Sequence, residues 1–308
     1  LKWTTEYIKC LGIWCGPDIE GAINKNYTEK LSSLEKVINM WSRRNLSIRG
    51  KIAVLRSLIL PQILYPATVL YVPDKVIDEV EHLFFRYVWP NKVHVKRDVI
   101  VKEIAKGGLK MPLFSSIVKA VKCTWVQRLV KRNPSRNILL EHLVKYKKLN
   151  FQNICYSKLD VKHVHFDSLF YKQVLEHWYS IFSREPSTIK QIINSMLWDN
   201  IHICVDDKPV HYSNWIANNI LTFSHIMDDD GNILNRAQIE HKYNIIVNWM
   251  DYNSLIHAIP RSWKQKVKGQ DVQCYLQTDY CKMVFIQDIA HNISTLRCKD
   301  FYWEFISL

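Results

Sequence analysis

Three groups of residues in this sequence have side chains able to do chemistry. The first is the carboxylate run Asp228-Asp229-Asp230, a residue type that holds divalent metal ions. Gly231-Asn232 comes directly after it, and that pair favours a turn, so an isolated acidic turn is the simpler account. The second group is Cys274, Cys281, His291 and Cys298, separated by six, nine and six residues. Four ligands must stand about 2.0 to 2.3 Å from one zinc ion, and these intervals fall inside apparent helix rather than in a small loop. These are expected to be core cysteines and no metal site is expected. The twelve histidines give no HxxxH pair facing a carboxylate helix. No nucleophile elbow or phosphate-binding glycine loop is present, so no catalytic residue is assigned. The third group is cationic: Arg43, Arg44, Arg49, Lys51 and Arg56, then Lys96, Arg97, Lys106 and Lys110. Such side chains neutralise phosphates.

The stretch Trp41 to Tyr65 must position the first five of those cations. Ser47 can cap a helix, because its hydroxyl accepts from an unpaired first-turn amide. Ile48, Ile52, Leu55, Leu58 and Ile59 recur at spacings of three and four and so share one side. Leu60-Pro61 predicts an end or a kink. Arg49 and Arg56, seven apart, share a helical face, whereas Lys51 sits about 160° around from Arg49. Alone, this stretch reads as an amphipathic helix with a solvated basic face.

The surrounding sequence predicts a mainly α protein with little β structure. Residues 3 to 16 read as one or two strands broken by a bulge or turn, and 28 to 41 as a helix. Residues 66 to 73 read as a short extended piece. Asp74 caps a helix reaching Trp89-Pro90, and Gly107-Gly108 ends a short helical run. Residues 113 to 132 read as a helix with Lys119, Lys122, Gln127, Arg128 and Lys131 largely outward. The expected division is 1–24, 25–135, a linker at 136–165, and a helical segment 166–308 in which 201–205 and 210–212 could pair as a small hairpin across Asp206 to Pro209. The last helix is expected over roughly 275–305.

The chain has 308 residues, 48% of them hydrophobic, and a net charge of +13. Residues 1 to 150 hold 27 Lys+Arg against 12 Asp+Glu, and the remainder 15 against 17. A basic half joined to a near-neutral half suggests that one half meets a polyanion while the other packs or meets protein. No run of about 18 uncharged apolar residues is present, so no segment is expected to span a bilayer, and a peripheral membrane partner is disfavoured because the cations alternate with buried-type residues. Eight scattered cysteines without CxxC pairs, and no signal-peptide pattern, place the chain in a reducing compartment, nucleus or cytoplasm. Beginning at Leu1 in strand-like sequence, it reads as a piece of a longer polypeptide.

Four signatures in order resemble the reverse transcriptases of LINE-type non-LTR retrotransposons, in the part immediately after the polymerase palm. Ile8-Lys9-Cys10-Leu11-Gly12-Ile13 resembles the primer-grip "(F/Y)KYLGI" strand, with Cys10 in place of the commoner tyrosine. Trp41, Leu46-Ser47, Gly50-Lys51, Ser57, Leu60-Pro61 and Tyr65 are similar to the thumb pattern. Gly107-Gly108-Leu109-Lys110-Met111-Pro112 and Ala120-Val121-Lys122 with Trp125 resemble the later "GGL..P" and "AxK..W" signatures. The resemblance is specific over residues 8 to 132 and vague beyond 160.

The resemblance implies a fragment that begins with the end of the palm, continues through a helical thumb, and finishes in a connector. Its function would be to grip primer–template nucleic acid, with an RNA template and an RNA/DNA or DNA duplex as partners. Lys9, Leu11 and Gly12 would belong to the primer grip. The nine cations would contact phosphates. The Mg ions and their palm carboxylates would lie upstream of this chain, leaving the fragment without a cofactor and inactive alone. The Met227-Asp228-Asp229 run is similar to the "YMDD" box of reverse transcriptases, but that box precedes the primer grip and this run lies after it. The alternative is a non-catalytic basic helical adaptor derived from a retroelement, binding RNA or protein.

Overall fold

The computed structural model describes residues 6–90, 96–131, 144–145, 161, 164–182, 185–276, 283–286, 289–293 and 295–307. It is mainly helical, and its strands occur as two-stranded antiparallel pairs. The chain forms two compact units, one of residues 1–125 with 298–308, and one of 126–297. The expected linker at 136–165 lies almost entirely outside the described residues.

The first unit opens with a hairpin, β1 (Ile8–Cys10) and β2 (Ile13–Cys15), with Cys10 opposite Ile13. Leu11 and Gly12 make the turn at φ 49° and 81°, the backbone that a two-residue hairpin with right-handed twist requires. Helix α1 (Ile19–Ser42) starts at Asp18, whose carboxylate accepts from the Gly21 amide. The buried Asn26 amide holds the hairpin to α1: its oxygen accepts from Trp14 N at 2.9 Å and its nitrogen donates to Trp14 O at 2.8 Å.

Helix α2 (Ile48–Val54) begins where Ser47 caps it, the hydroxyl accepting from Gly50 N at 3.2 Å. Pro61 does not end the helix. A π turn over Leu55–Ile59 leads straight into α3 (Leu60–Val69). Proline has no amide proton to give the carbonyl four residues back; the wider turn, in which Leu60 N reaches Leu55 O, absorbs that loss. The expected extended piece therefore shrinks to Leu70–Pro73, and Pro66 lies inside α3. The whole rod, Ile48–Val69, is long and apolar enough to cross a membrane. Its Ile52, Leu55, Ile59, Ile63 and Ala67 side is nevertheless closed inside the first unit's core.

Helix α4 (Asp74–Val88) adds Val80, Leu83, Phe84 and Val88 to that core. After α5 (Arg97–Val101) and a 3-10 turn (Ile104–Lys106), Gly107 takes φ 79°. Gly108 runs so close to Lys102 that an added Cβ would fall 2.1 Å from its carbonyl oxygen. Helix α6 (Phe114–Lys131) is capped by Glu81, which accepts from Ser115 N at 2.9 Å. Lys122 and Gln127, expected outward on α6, are buried.

The second unit contains β3 (Val144–Lys145) paired with β4 (His165–Phe166), then α7 (Leu169–Phe182) and α8 (Ile189–Ile193). A hairpin forms here with a tighter turn than expected: β5 (Cys204–Val205) pairs with β6 (Lys208–Pro209), residues expected in the loop, and Asp206 and Asp207 both take positive φ in the turn. Helices α9 (Ser213–Ala217), α10 (Arg236–Tyr243), α11 (Trp249–Ala258) and α12 (Arg261–Val267) come next. Trp198, Trp215, Phe223 and Trp263 fill their shared core. The expected helix over 275–305 is instead a hairpin, β7 (Met283–Ile286) with β8 (Ile289–Asn292), and then α13 (Cys298–Ser307). Helix α13 packs with the first unit: the Tyr302 hydroxyl accepts from Leu113 N at 3.3 Å.

Candidate nucleic-acid interface

The hairpin tip presents Leu11 with 86% of its surface exposed. A leucine in left-handed conformation costs roughly 1 to 2 kcal/mol, yet here its side chain gains no burial within the described residues. Lys9 lies along the strand, its ammonium 2.6 Å from Glu29 and 5.1 Å from the Trp14 ring centroid. The Glu29 carboxyl is held below its ordinary range, first by Lys9 and then by the Trp14 indole.

Arg43 ends α1 and is exposed, and Arg44 stacks over Trp41 at 4.5 Å. Arg49 and Arg56 are both exposed on the rod, with the π turn beginning just before Arg56. Lys51 is turned inward: it donates to Val88 O at 3.3 Å, completing the C-terminal end of α4, and stands 5.9 Å from the Tyr87 ring. Within the second strip, Lys96 and Lys106 are exposed and Arg97 lies over Phe85 at 4.5 Å. Lys110 sits 3.8 Å from Glu103 and 5.7 Å from the Trp303 ring. Arg43, Arg44, Arg49, Arg56, Lys96, Arg97 and Lys106 form no ion pair with the described residues.

Arg56 and Lys110, one from each strip, meet at a cavity of about 260 Å³ in the first unit. Leu60, Pro112, Ile117 and Cys298 line it too, together with Lys299, Tyr302 and Trp303 of α13. Nothing in the sequence pointed to these three, because more than two hundred residues separate them from Arg56 and only the packing of α13 joins them.

The "AxK..W" residues serve the rod instead of facing solvent. Lys122 donates its ammonium to Leu70 O, and Trp125 its indole N–H to Thr68 O at 2.7 Å. Together they satisfy carbonyls that the end of α3 leaves open. Burial pulls the Lys122 ammonium down to about 7.

Two groupings in the second unit have catalytic residue types but structural placements. Asp228 accepts from Asn232 N at 2.7 Å, Asp229 accepts from Gln273 Nε2 at 2.8 Å, and Asp230 O receives Gly269 N. The acidic run is thus a turn tied to Gly269 and Gln273, just beyond the end of α12. Among the described residues, no cluster of three or more His, Cys, Asp or Glu could hold a metal ion. Asp199, fully buried, pairs with His211 Nδ1 at 2.6 Å, and His211 Nε2 lies 3.3 Å from the Ser213 hydroxyl. Asp199 N also donates to Val210 O, so the pair closes the base of the β5–β6 hairpin.

No family model matches the chain. It is similar to the Transposon TX1 uncharacterized 149 kDa protein of Xenopus laevis, with 23% identity over 137 residues. The match covers 44% of this chain and spans 10% of that protein's length. A transposon origin is what this similarity supports.

Proposed function

We propose that the first unit grips the primer–template duplex for a retrotransposon reverse transcriptase whose catalytic carboxylates lie outside this chain. The observation that carries the reading is the pair of exposed cations Arg49 and Arg56, mounted on a rod whose opposite side is core, with Arg43 and Arg44 exposed at the end of α1 before it; none of the four has an ion-pair partner among the described residues. Cations left free by the protein can neutralise phosphates and release counterions. Lys96, Arg97, Lys106 and Lys110 provide a second strip. Lys51 supports α4 from within. The hairpin tip at Leu11-Gly12 takes the primer-grip role, for which an exposed apolar side chain on a rigid turn suits packing against a sugar.

The similarity to a transposon protein supports the same origin. Under this reading the second unit is a connector, and Mg belongs to the palm carried elsewhere in the polyprotein. The test is binding of an RNA/DNA hybrid by the 308-residue chain as salt rises. Affinity is expected to fall by orders of magnitude between about 50 and 200 mM salt, without sequence preference. An absence of binding at low salt sinks the reading.

A further inference from the structure

The cavity walled by Arg56, Lys110, Lys299, Tyr302 and Trp303 is built differently from the open basic surface around it. Three cations and no carboxylate line it, beside Leu60, Pro112, Ile117 and Cys298, so its complement joins an anion to an apolar or aromatic group. Glu103, the ion-pair partner of Lys110, is not in the wall; at 3.8 Å and about one-third exposed on both sides, the pair is weak and can be exchanged for a phosphate. The aromatic part is fixed. Tyr302 is held through its hydroxyl by the Leu113 amide, and its ring meets Trp303 edge-on at 5.1 Å and 68°. Lys110 stands over the Trp303 ring, so charge and aromatic face open onto one space.

A bare phosphate would use the cations and leave the rings idle, whereas a flat base joined to a phosphate uses both. At about 260 Å³ the space lies just below the usual range for drug-sized ligands, roughly 300 to 1,000 Å³, and a duplex cannot enter it. We infer that this cavity receives a single unpaired nucleotide of a nucleic-acid strand, its base against Trp303 and its phosphate between Arg56 and Lys299. The inference rests on the duplex-grip reading for the way the strand is delivered. It adds a station for a nucleotide that has left the duplex.

The experiment compares a short blunt RNA/DNA hybrid, the same hybrid with a single-stranded RNA overhang, a single-stranded RNA oligonucleotide and adenosine 5′-monophosphate, all with the 308-residue chain. The overhang is expected to strengthen binding by about fivefold to a hundredfold, the range that one base–aromatic contact supplies. Trp303→Ala should abolish that gain, and the exposed Lys299→Ala, which leaves the core untouched, should reduce it. If the blunt and overhang hybrids bind equally, or if both variants keep the full gain, the assignment is overturned and the duplex grip stands. Binding of the single strand that depends on Trp303, with no binding of the blunt hybrid, supports the cavity and removes the duplex grip. Tight binding of the monophosphate without any overhang effect assigns the space to a free nucleotide and overturns the inference.

Discussion

The Lys122 ammonium donates to the carbonyl of Leu70, fifty-two residues earlier, from a side chain with no exposed surface. Burial lowers its pKa from 10.5 to about 7. The folded state therefore binds fewer protons here than the unfolded chain between those values. The penalty is fully present below about pH 7 and is relieved as pH rises towards 10.5. Unfolding free energy should climb across this window, by at most about 1.4 kcal/mol per pH unit. Denaturant unfolding of the wild type and of Lys122→Met at several pH values checks it; identical slopes would contradict the assignment.

Gly12 and Gly108 should respond to alanine for opposite reasons. At Gly12 there is open space but φ is 81°, so Gly12→Ala should cost about 1 to 2 kcal/mol. At Gly108 the new methyl would fall 2.1 Å from the Lys102 carbonyl oxygen, and the Lys102–Lys110 loop must open. A loss of roughly 3 kcal/mol or more is expected from thermal or chemical unfolding, within the range of severe backbone and overpacking defects. Equal losses at the two positions would contradict the close approach.

Asp199 and His211 form a pair in which the carboxylate has no exposed surface and the imidazole little. Removing one member takes from the other a partner it holds in a buried setting, so His211→Ala should destabilise the protein by about 3 kcal/mol. Ser213→Ala, on the exposed side of the same histidine, should change stability by less than about 0.5 kcal/mol. A large effect of Ser213→Ala would show that the three residues act as one unit.

Replacing Arg49 and Arg56 together by alanine should reduce the slope of log affinity against log salt by roughly 1 to 2 units for an RNA/DNA hybrid. Lys51→Ala should leave that slope alone and lower stability instead, because its ammonium serves the Val88 carbonyl. An unchanged slope in the double variant would return both arginines to the ordinary solvated surface.

Features set by local backbone chemistry were legible in the sequence. The Ser47 cap, a break in the strand-like run of residues 3 to 16 and the end of a helical run at Gly107 each depend on a few adjacent residues, and a hairpin near Asp206 is readable too, though with a longer loop than forms. Features set by distant partners were not. Lys122 reads as outward because lysine is usually solvated, and only the open carbonyl at the end of α3 makes burial possible. Pro61 reads as a stop, and the π turn before it keeps the helix going. Residues 283–286 and 289–292 fall inside the helix expected over 275–305, although a two-strand pairing claims them. For the candidate site, both cation strips could be named from the sequence. Their meeting at Arg56 and Lys110, beneath Trp303, depends on where α13 packs.

The first unit is not continuous in the chain: residues 298–308 complete it after the whole of 126–297 has intervened. On the ribosome, where synthesis runs from the N-terminus, its helices emerge early but must wait for their last partner. Until α13 arrives, Leu113 lacks Tyr302 and the cavity wall at Arg56 is open. Nucleic acid held in that cavity would therefore be a report that translation of this segment had been completed.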